Sequence, residues 1–188
     1  MKDAVLAAAR TFEQSGAIVE PLTDWTTLEM RMGMAHFFTM RCRVDLAAMP
    51  PERARLAADY IHAAGEFAGS LTPEETFRAF TRMQMLRAAT VAATLPYDYV
   101  LSPVSPVLPF AADATNSGSE NPLKDSHFTS VFNHSEQPAA SINCGYSASG
   151  LPIGLQIAGR RFDDLGVLQI ARFYELARAA QAPWPEPV

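Results

Sequence analysis

Four serines, two histidines and an aspartate crowd one short stretch of this chain: Asp125, Ser126, His127, Ser130, His134, Ser135 and Ser141. A serine becomes a nucleophile when a histidine takes its proton and an acid orients that histidine, so the crowding raises a Ser-His-Asp hydrolase. The stretch has no GxSxG elbow, however, and a triad is a matter of geometry across a fold, which sequence proximity does not supply. Serines and carboxylates gathered at a helix entrance also serve as helix-end hydrogen-bonding groups.

A second stretch, "GLPIGLQIAGR", places glycines at 150, 154 and 159. Neither GxGxxG nor GxxxxGK fits these spacings, and Pro152 removes one of the backbone donors that a phosphate nest requires. Asp163 and Asp164 are adjacent, but a helix cap explains them better than a glycosidase carboxylate pair. The histidines at 36, 62, 127 and 134 form no HExxH or HxxxH pair, and Cys42 and Cys144 form no CxxC. The expectation is reduced, buried thiols, no metal site and no cofactor.

Composition narrows the classes. The chain has 188 residues, 48% of them hydrophobic and 19% charged, with a net charge of −5. That is a globular balance, and the negative charge argues against a nucleic-acid partner. No run of about 18 apolar residues marks a membrane span, and Glu13 arrives too early for a secretory leader. The expectation is a soluble, cytoplasmic protein without a membrane partner. Thirteen arginines accompany only two lysines, Lys2 and Lys124.

The elements that must position these groups follow from periodicity and punctuation. Residues 3–15 read as an amphipathic helix closed by Gly16, and "AIVEPL" (17–22) as a short strand. A methionine-rich helix follows over 27–43, with Leu28, Met32, Ala35, Phe38 and Cys42 toward one side. Pro50-Pro51 opens a helix over 51–67, terminated by Gly69. "LTPEETF" is a capping box, Thr72 with Glu75, and launches a helix to about Leu95 whose apolar side carries Phe77, Phe80, Met83, Leu86 and Val91.

Pro96 stops that helix, and "YDYVLSPV" (97–104) reads as a buried strand. A long polar loop over 109–124 leads to a short helix in "KDSHFTSVFNHS", capped by Asp125 or Ser126. Strands "AASINCGY" and "LPIGLQIAG" are joined by the tight "SASG". Asp163 caps a last helix, to about Ala180, with Leu165, Leu168, Phe173 and Leu176 inward. The proline-rich tail "APWPEPV" is not helical. Alternating helices and strands with a late hairpin predict an α/β fold, a mixed β-sheet flanked by helices in three layers, α/β/α, as one domain over 1–188.

From residue 97 onward the order of features resembles the amidase signature family. "YDYVLSPVSPVLPF" is similar to its strand and Thr/Ser-Pro-rich turn. "FTSVFNHSEQPAASINCGYSASGLPIGLQIAGRRFDDLGVLQIARFYE" resembles its C-terminal signature: an aromatic-Thr pair, an Asn, a Pro-Ala strand, a "GLPIGLQ"-like strand and a terminal helix bearing Glu175. "AARTFEQSGAIVEPL" is similar to its helix-Gly-strand segment, with Phe12 in the Leu position.

The resemblance implies a partial amidase-signature fold, hydrolysis of a carboxamide C–N bond in the intact enzyme, and a small-molecule amide as substrate. It implies substrate-side roles for Ser102, Pro103, Ser105, Asn133, Cys144 and Gly150. It also implies a nucleophilic Ser, a second Ser in a cis peptide and a Lys base, and these lie in a Gly/Ser-rich segment that has no counterpart here. Neither Lys2 nor Lys124 stands in a matching context. No catalytic residue is therefore assigned, and the chain is expected to be the C-terminal portion of a larger amidase domain, inactive without an N-terminal catalytic half.

Two other readings stay open. The same scaffold could act as a binding or assembly module, self-associating through exposed strand edges. An independent Ser-His hydrolase would need His127 or His134 beside an exposed serine.

Overall fold

The computed structural model describes residues 1–114, 117–118 and 125–181. In chain order the elements are α1 (Lys2–Gln14), α2 (Leu28–Ala48), α3 (Pro51–Ala54), α4 (Asp59–Gly69), α5 (Pro73–Thr94), β1 (Val100–Pro103), α6 (His127–Ser135), β2 (Ala139–Tyr146), β3 (Pro152–Ala158) and α7 (Asp164–Ala177). They fall into two compact units, Asp24–Ala93 and the two flanking segments taken together. The tail at 182–188 and much of the 109–124 loop lie outside the described residues.

The helical unit is organised by its caps. Thr27 accepts from the Met30 N–H at 3.2 Å to begin α2. The capping box before α5 forms as the sequence requires: Glu75 N–H donates to Thr72 Oγ1 at 3.1 Å, and Thr72 N–H donates to the Glu75 carboxylate at 2.8 Å. The Thr72 N–H bond, with the Thr72 hydroxyl donating to the same carboxylate at 3.0 Å, holds the Glu75 carboxyl below its ordinary range. The core of the unit is Met34, Cys42, Ala68, Ala79, Met83 and Leu86, and Leu86 is fully buried.

Several expectations for this unit are corrected. Phe77 and Phe80 are exposed, as are Leu28 and Met32 on α2. Helix α5 carries apolar residues on two faces, and the packed face is the one holding Ala79, Met83, Leu86 and Thr90. The helix expected over 51–67 is interrupted: i→i+3 bonds from Leu56 and Ala57 close α3, and Ala58 is extended before α4 begins. Leu56 is exposed, so no large side chain anchors the stretch as one continuous helix.

The sheet unit has strand order β1-β3-β2, with both pairs antiparallel. The predicted α/β character stands, while the mixed sheet reduces among the described residues to these three antiparallel strands. No strand forms at 17–22, where Ile18 is 92% exposed. β-Branched residues favour a strand only when a neighbouring edge supplies the ladder. Helix α1 instead ends in a Schellman pair, Gly16 N–H to Glu13 C=O and Ala17 N–H to Phe12 C=O.

Sheet alternation sorts the layers. Leu155 and Ile157 point to one face, where Ala8, Phe12 and Tyr174 join them in a buried cluster. The Phe12 and Tyr174 rings stack with centroids 5.4 Å apart. Helices α1 and α7 therefore cover this face. Gln156, on the other face, donates to the Phe128 carbonyl of α6 at 3.0 Å, which places α6 on the opposite side and completes the three layers.

The inward side of α7 is also corrected. Leu165, Leu168, Phe173 and Leu176 are exposed, while Val167 and Tyr174 are buried and Ile170 and Ala171 pack on the cluster. Both stripes have helical spacing, so periodicity alone does not choose between them. Contacts at the start of the helix do: Tyr99 OH donates to Asp163 at 3.1 Å, Asp163 accepts from the Gly166 N–H at 3.2 Å, and a Cβ on Gly159 would lie 2.7 Å from Val167 Cγ2. We expect Val167→Ala to cost about 1–3 kcal/mol and Leu168→Ala less than about 0.5 kcal/mol, read from urea denaturation midpoints.

Candidate functional site

The face of the sheet away from the core is polar and small. Register pairs Gln156 with both Ser102 and Ser141, and Gly154 with Asn143, so these side chains share one surface. Gly154 admits the next residue of the β1 segment: a Cβ there would meet Val104 Cγ2 at 2.7 Å. Beside it the 104–110 segment folds over a cleft of about 420 Å³, lined by Ser105, Val107, Phe110, Ser141, Asn143 and Ile153 among others.

Gln156 organises this face. It is 4% exposed, and its amide nitrogen donates to Ser102 Oγ and to the Phe128 carbonyl, each at 3.0 Å. Ser102 Oγ in turn donates to the Pro103 carbonyl at 3.1 Å. The loop is tied down from its far end: Ser105 Oγ donates to the Asp125 carbonyl at 3.1 Å and accepts from the Val107 N–H at 3.3 Å. The Asp125 carboxylate accepts from the Ser117 N–H at 2.9 Å and from its hydroxyl at 2.6 Å.

The six sequence-derived candidates are not all in one place. Ser105 lines the cleft, and Ser102 and Pro103 lead into it along β1. Asn133 is exposed on α6. Gly150 sits at the hairpin tip with φ +80°, donating to the Ser147 carbonyl at 3.0 Å, with no other group near where a side chain would start. Cys144 lies on the other side of β2, packed against the core cluster. A bulge between Asn143 and Gly145 leaves it outside the pairing, and burial pushes its thiol pKa up despite the Arg178 charge nearby.

The sequence reading missed Gln156 and Asn143, and named Ser141 only as a candidate nucleophile of the crowded Ser/His stretch. The available signal was a glutamine inside "GLQIAG", a polar side chain in a strand otherwise built for burial.

The crowded Ser/His stretch resolves into helix chemistry. Ser130 and Ser135 donate to the carbonyls of His127 and Phe132 in their own helix, at 3.5 and 3.3 Å. His127 stands edge-on to the Phe128 ring, and the Asp125 carboxylate holds Ser117. Among the described residues, no group of three His, Cys, Asp or Glu side chains is arranged to hold a metal ion. Nor is any helix there long and apolar enough to cross a membrane.

A family model described as Amidase matches residues 45–168, more than half of the chain. The chain belongs to the amidase family. A glutamyl-tRNA(Gln) amidotransferase component of Alkaliphilus metalliredigens (strain QYMF) is 28% identical over 201 aligned positions, covering 91% of this amidase chain and 40% of the relative. The Myxococcus xanthus (strain DK1622) protein of the same name is 39% identical over 94 positions, covering 48% of this chain and 19% of its own. The solved structure of a bacterial aryl acylamidase of the amidase signature family superposes with a TM-score of 0.77 at 22% identity, over 93% of this chain and 39% of that one. That likeness shows a shared fold. The chain spans less than half the length of these relatives.

Two measurements test the site's supports. Gln156→Leu removes both donor bonds at a buried position, so it should cost about 1–3 kcal/mol in urea unfolding. Burial lowers the pKa of His134 from its ordinary 6.5. The unfolded chain then binds the proton more readily, so His134 costs no stability well above pH 6.5 and increasingly destabilises as pH falls below it. The drop in stability between pH 7.5 and 5.5 should be smaller in His134→Gln.

Proposed function

We propose that these 188 residues supply scaffold and one wall of the substrate cleft of an amidase-type hydrolase, as the C-terminal portion of a larger amidase domain, and turn over no amide by themselves. The substrate is a small molecule whose carboxamide C–N bond is cleaved in the intact enzyme. Ser105, Ser141 and Asn143 border the cleft, and Ser102 and Pro103 end the strand that leads into it.

The observation that carries this reading is the lysine count set against family membership. An amide is a poor electrophile, so its hydrolysis needs an activated nucleophile, a proton donor for the leaving nitrogen and a site for the oxyanion. In the family that this chain resembles, a Ser-Ser-Lys relay supplies the first two and a Gly/Ser-rich segment the third. Here the lysines are Lys2, exposed at the start of α1, and Lys124, outside the described residues. No GGSSGG-like run occurs in the sequence. What remains is the wall and its supports.

A second reading is a binding or assembly module on the same scaffold. It is favoured by β1 and β2 being the outer strands of a three-stranded sheet, each with one side not paired to another strand among the described residues. Light scattering on the purified chain distinguishes the two, since edge-driven association gives a concentration-dependent mass.

The purified 188-residue chain should hydrolyse neither simple alkyl nor aryl carboxamides above the buffer rate. Ammonia release by this polypeptide, abolished by a single serine substitution, would refute the proposal.

A further inference from the structure

Cys144 points away from the amide cleft, and the place it points to has a chemistry of its own. A second cleft, of about 350 Å³, opens where the bulge of β2 meets α1 and the end of α7. This lies at the small end of the roughly 300–1,000 Å³ typical of ligand pockets. Its lining includes the apolar Ala7 and Ala8 of α1, Cys144 at the bulge, the exposed Tyr146 and the buried Tyr174.

The charge in this cleft runs against the rest of the molecule. In a chain of net charge −5, no carboxylate side chain among the described residues lines it, and its charged side chain is the guanidinium of Arg178. Burial pushes both the Cys144 thiol and the Tyr174 phenol up from their ordinary pKa values. Both stay neutral at pH 7, so neither competes with a bound anion.

Arg178 is also held in place. Its Nη1 donates to the Asn143 carbonyl, and its guanidinium carbon lies 5.9 Å from the centre of the Tyr174 ring. Gln181 supports the same carbonyl at 3.2 Å and reaches Asn143 Oδ1 at 3.0 Å. An arginine fork has five N–H donors in a fixed plane. Among the described residues the hydrogen bond it makes uses Nη1, which leaves donors for a planar, two-oxygen acceptor. An anchored cation, neutral polar neighbours and aromatic walls together select an anion carried on an apolar body.

We infer that the cleft at the β2 bulge binds a small aromatic carboxylate, with Arg178 pairing its carboxylate and Ala7 and Tyr146 beside its ring. This site is separate from the amide cleft and does not depend on the proposed hydrolytic role.

The half-buried Cys144 provides the readout, because Cys42, the second cysteine of the chain, is buried. The rate of Cys144 modification by a thiol-disulfide reagent is measured on the full chain with millimolar benzoate, and Cys144→Ser confirms which thiol reacts. Benzoate should slow labelling several-fold, while the neutral isostere benzamide should not. Arg178→Gln, which keeps a donor for the Asn143 carbonyl, should abolish the protection, and Arg178→Lys should restore part of it. An unchanged labelling rate in benzoate would overturn the inference. So would equal protection by benzamide, or protection that survives Arg178→Gln in a variant whose thermal unfolding matches the parent.

Discussion

Gln156 is the side chain on which the polar half of the sheet unit depends. A primary amide buried to 4% exposure must spend its donors inside the protein or lose a few kcal/mol to desolvation. It spends them on Ser102 and on the Phe128 carbonyl, and so ties β1, β3 and α6 together at one point. Helix packing on the other face is mainly apolar and tolerates small shifts. These two bonds do not, because both depend on one nitrogen. The face that carries the amide cleft is thereby held in register from within the sheet, while its outer loop is clasped separately by Asp125.

Much of the fold was legible in local chemistry. The capping box at Thr72 and Glu75, the cap at Asp163, the β2 strand over 139–146 and the "SASG" hairpin all form as their residue types require. What local chemistry left undecided was direction. Helices α5 and α7 each bear two apolar stripes at helical spacing, and the buried one is set by contacts such as Tyr99 with Asp163 that join residues over 60 positions apart. The missing strand at 17–22 has the same origin, since a strand is a property of a pair and the sequence shows only one member.

The candidate site was legible in part, for a related reason. Ser102, Pro103 and Ser105 lie where a strand ends in prolines, a feature visible in the chain itself. Cys144 was grouped with them through the family resemblance, whereas alternation along β2 sets it opposite Asn143, on the core side. The bulge between Asn143 and Gly145 shifts the register from Gly145 onward, and a bulge leaves little trace in composition beyond a nearby glycine. Membership of the amidase family accounts for the scaffold. No GGSSGG-like run occurs in the sequence.

The bulge has a further consequence for chain length. Asn143 pairs with Gly154 and Gly145 pairs with Ile153, so the ladder passes over Cys144 without counting it. A chain shorter by that one residue would keep each partner on both sides and close into a regular hairpin. Arg178 and Gln181 would then find the Asn143 carbonyl turned to a different angle, and the cleft they border would lose its floor. Cys144 is thus a spacer whose presence, more than its sulfur, separates one side of this strand from the other.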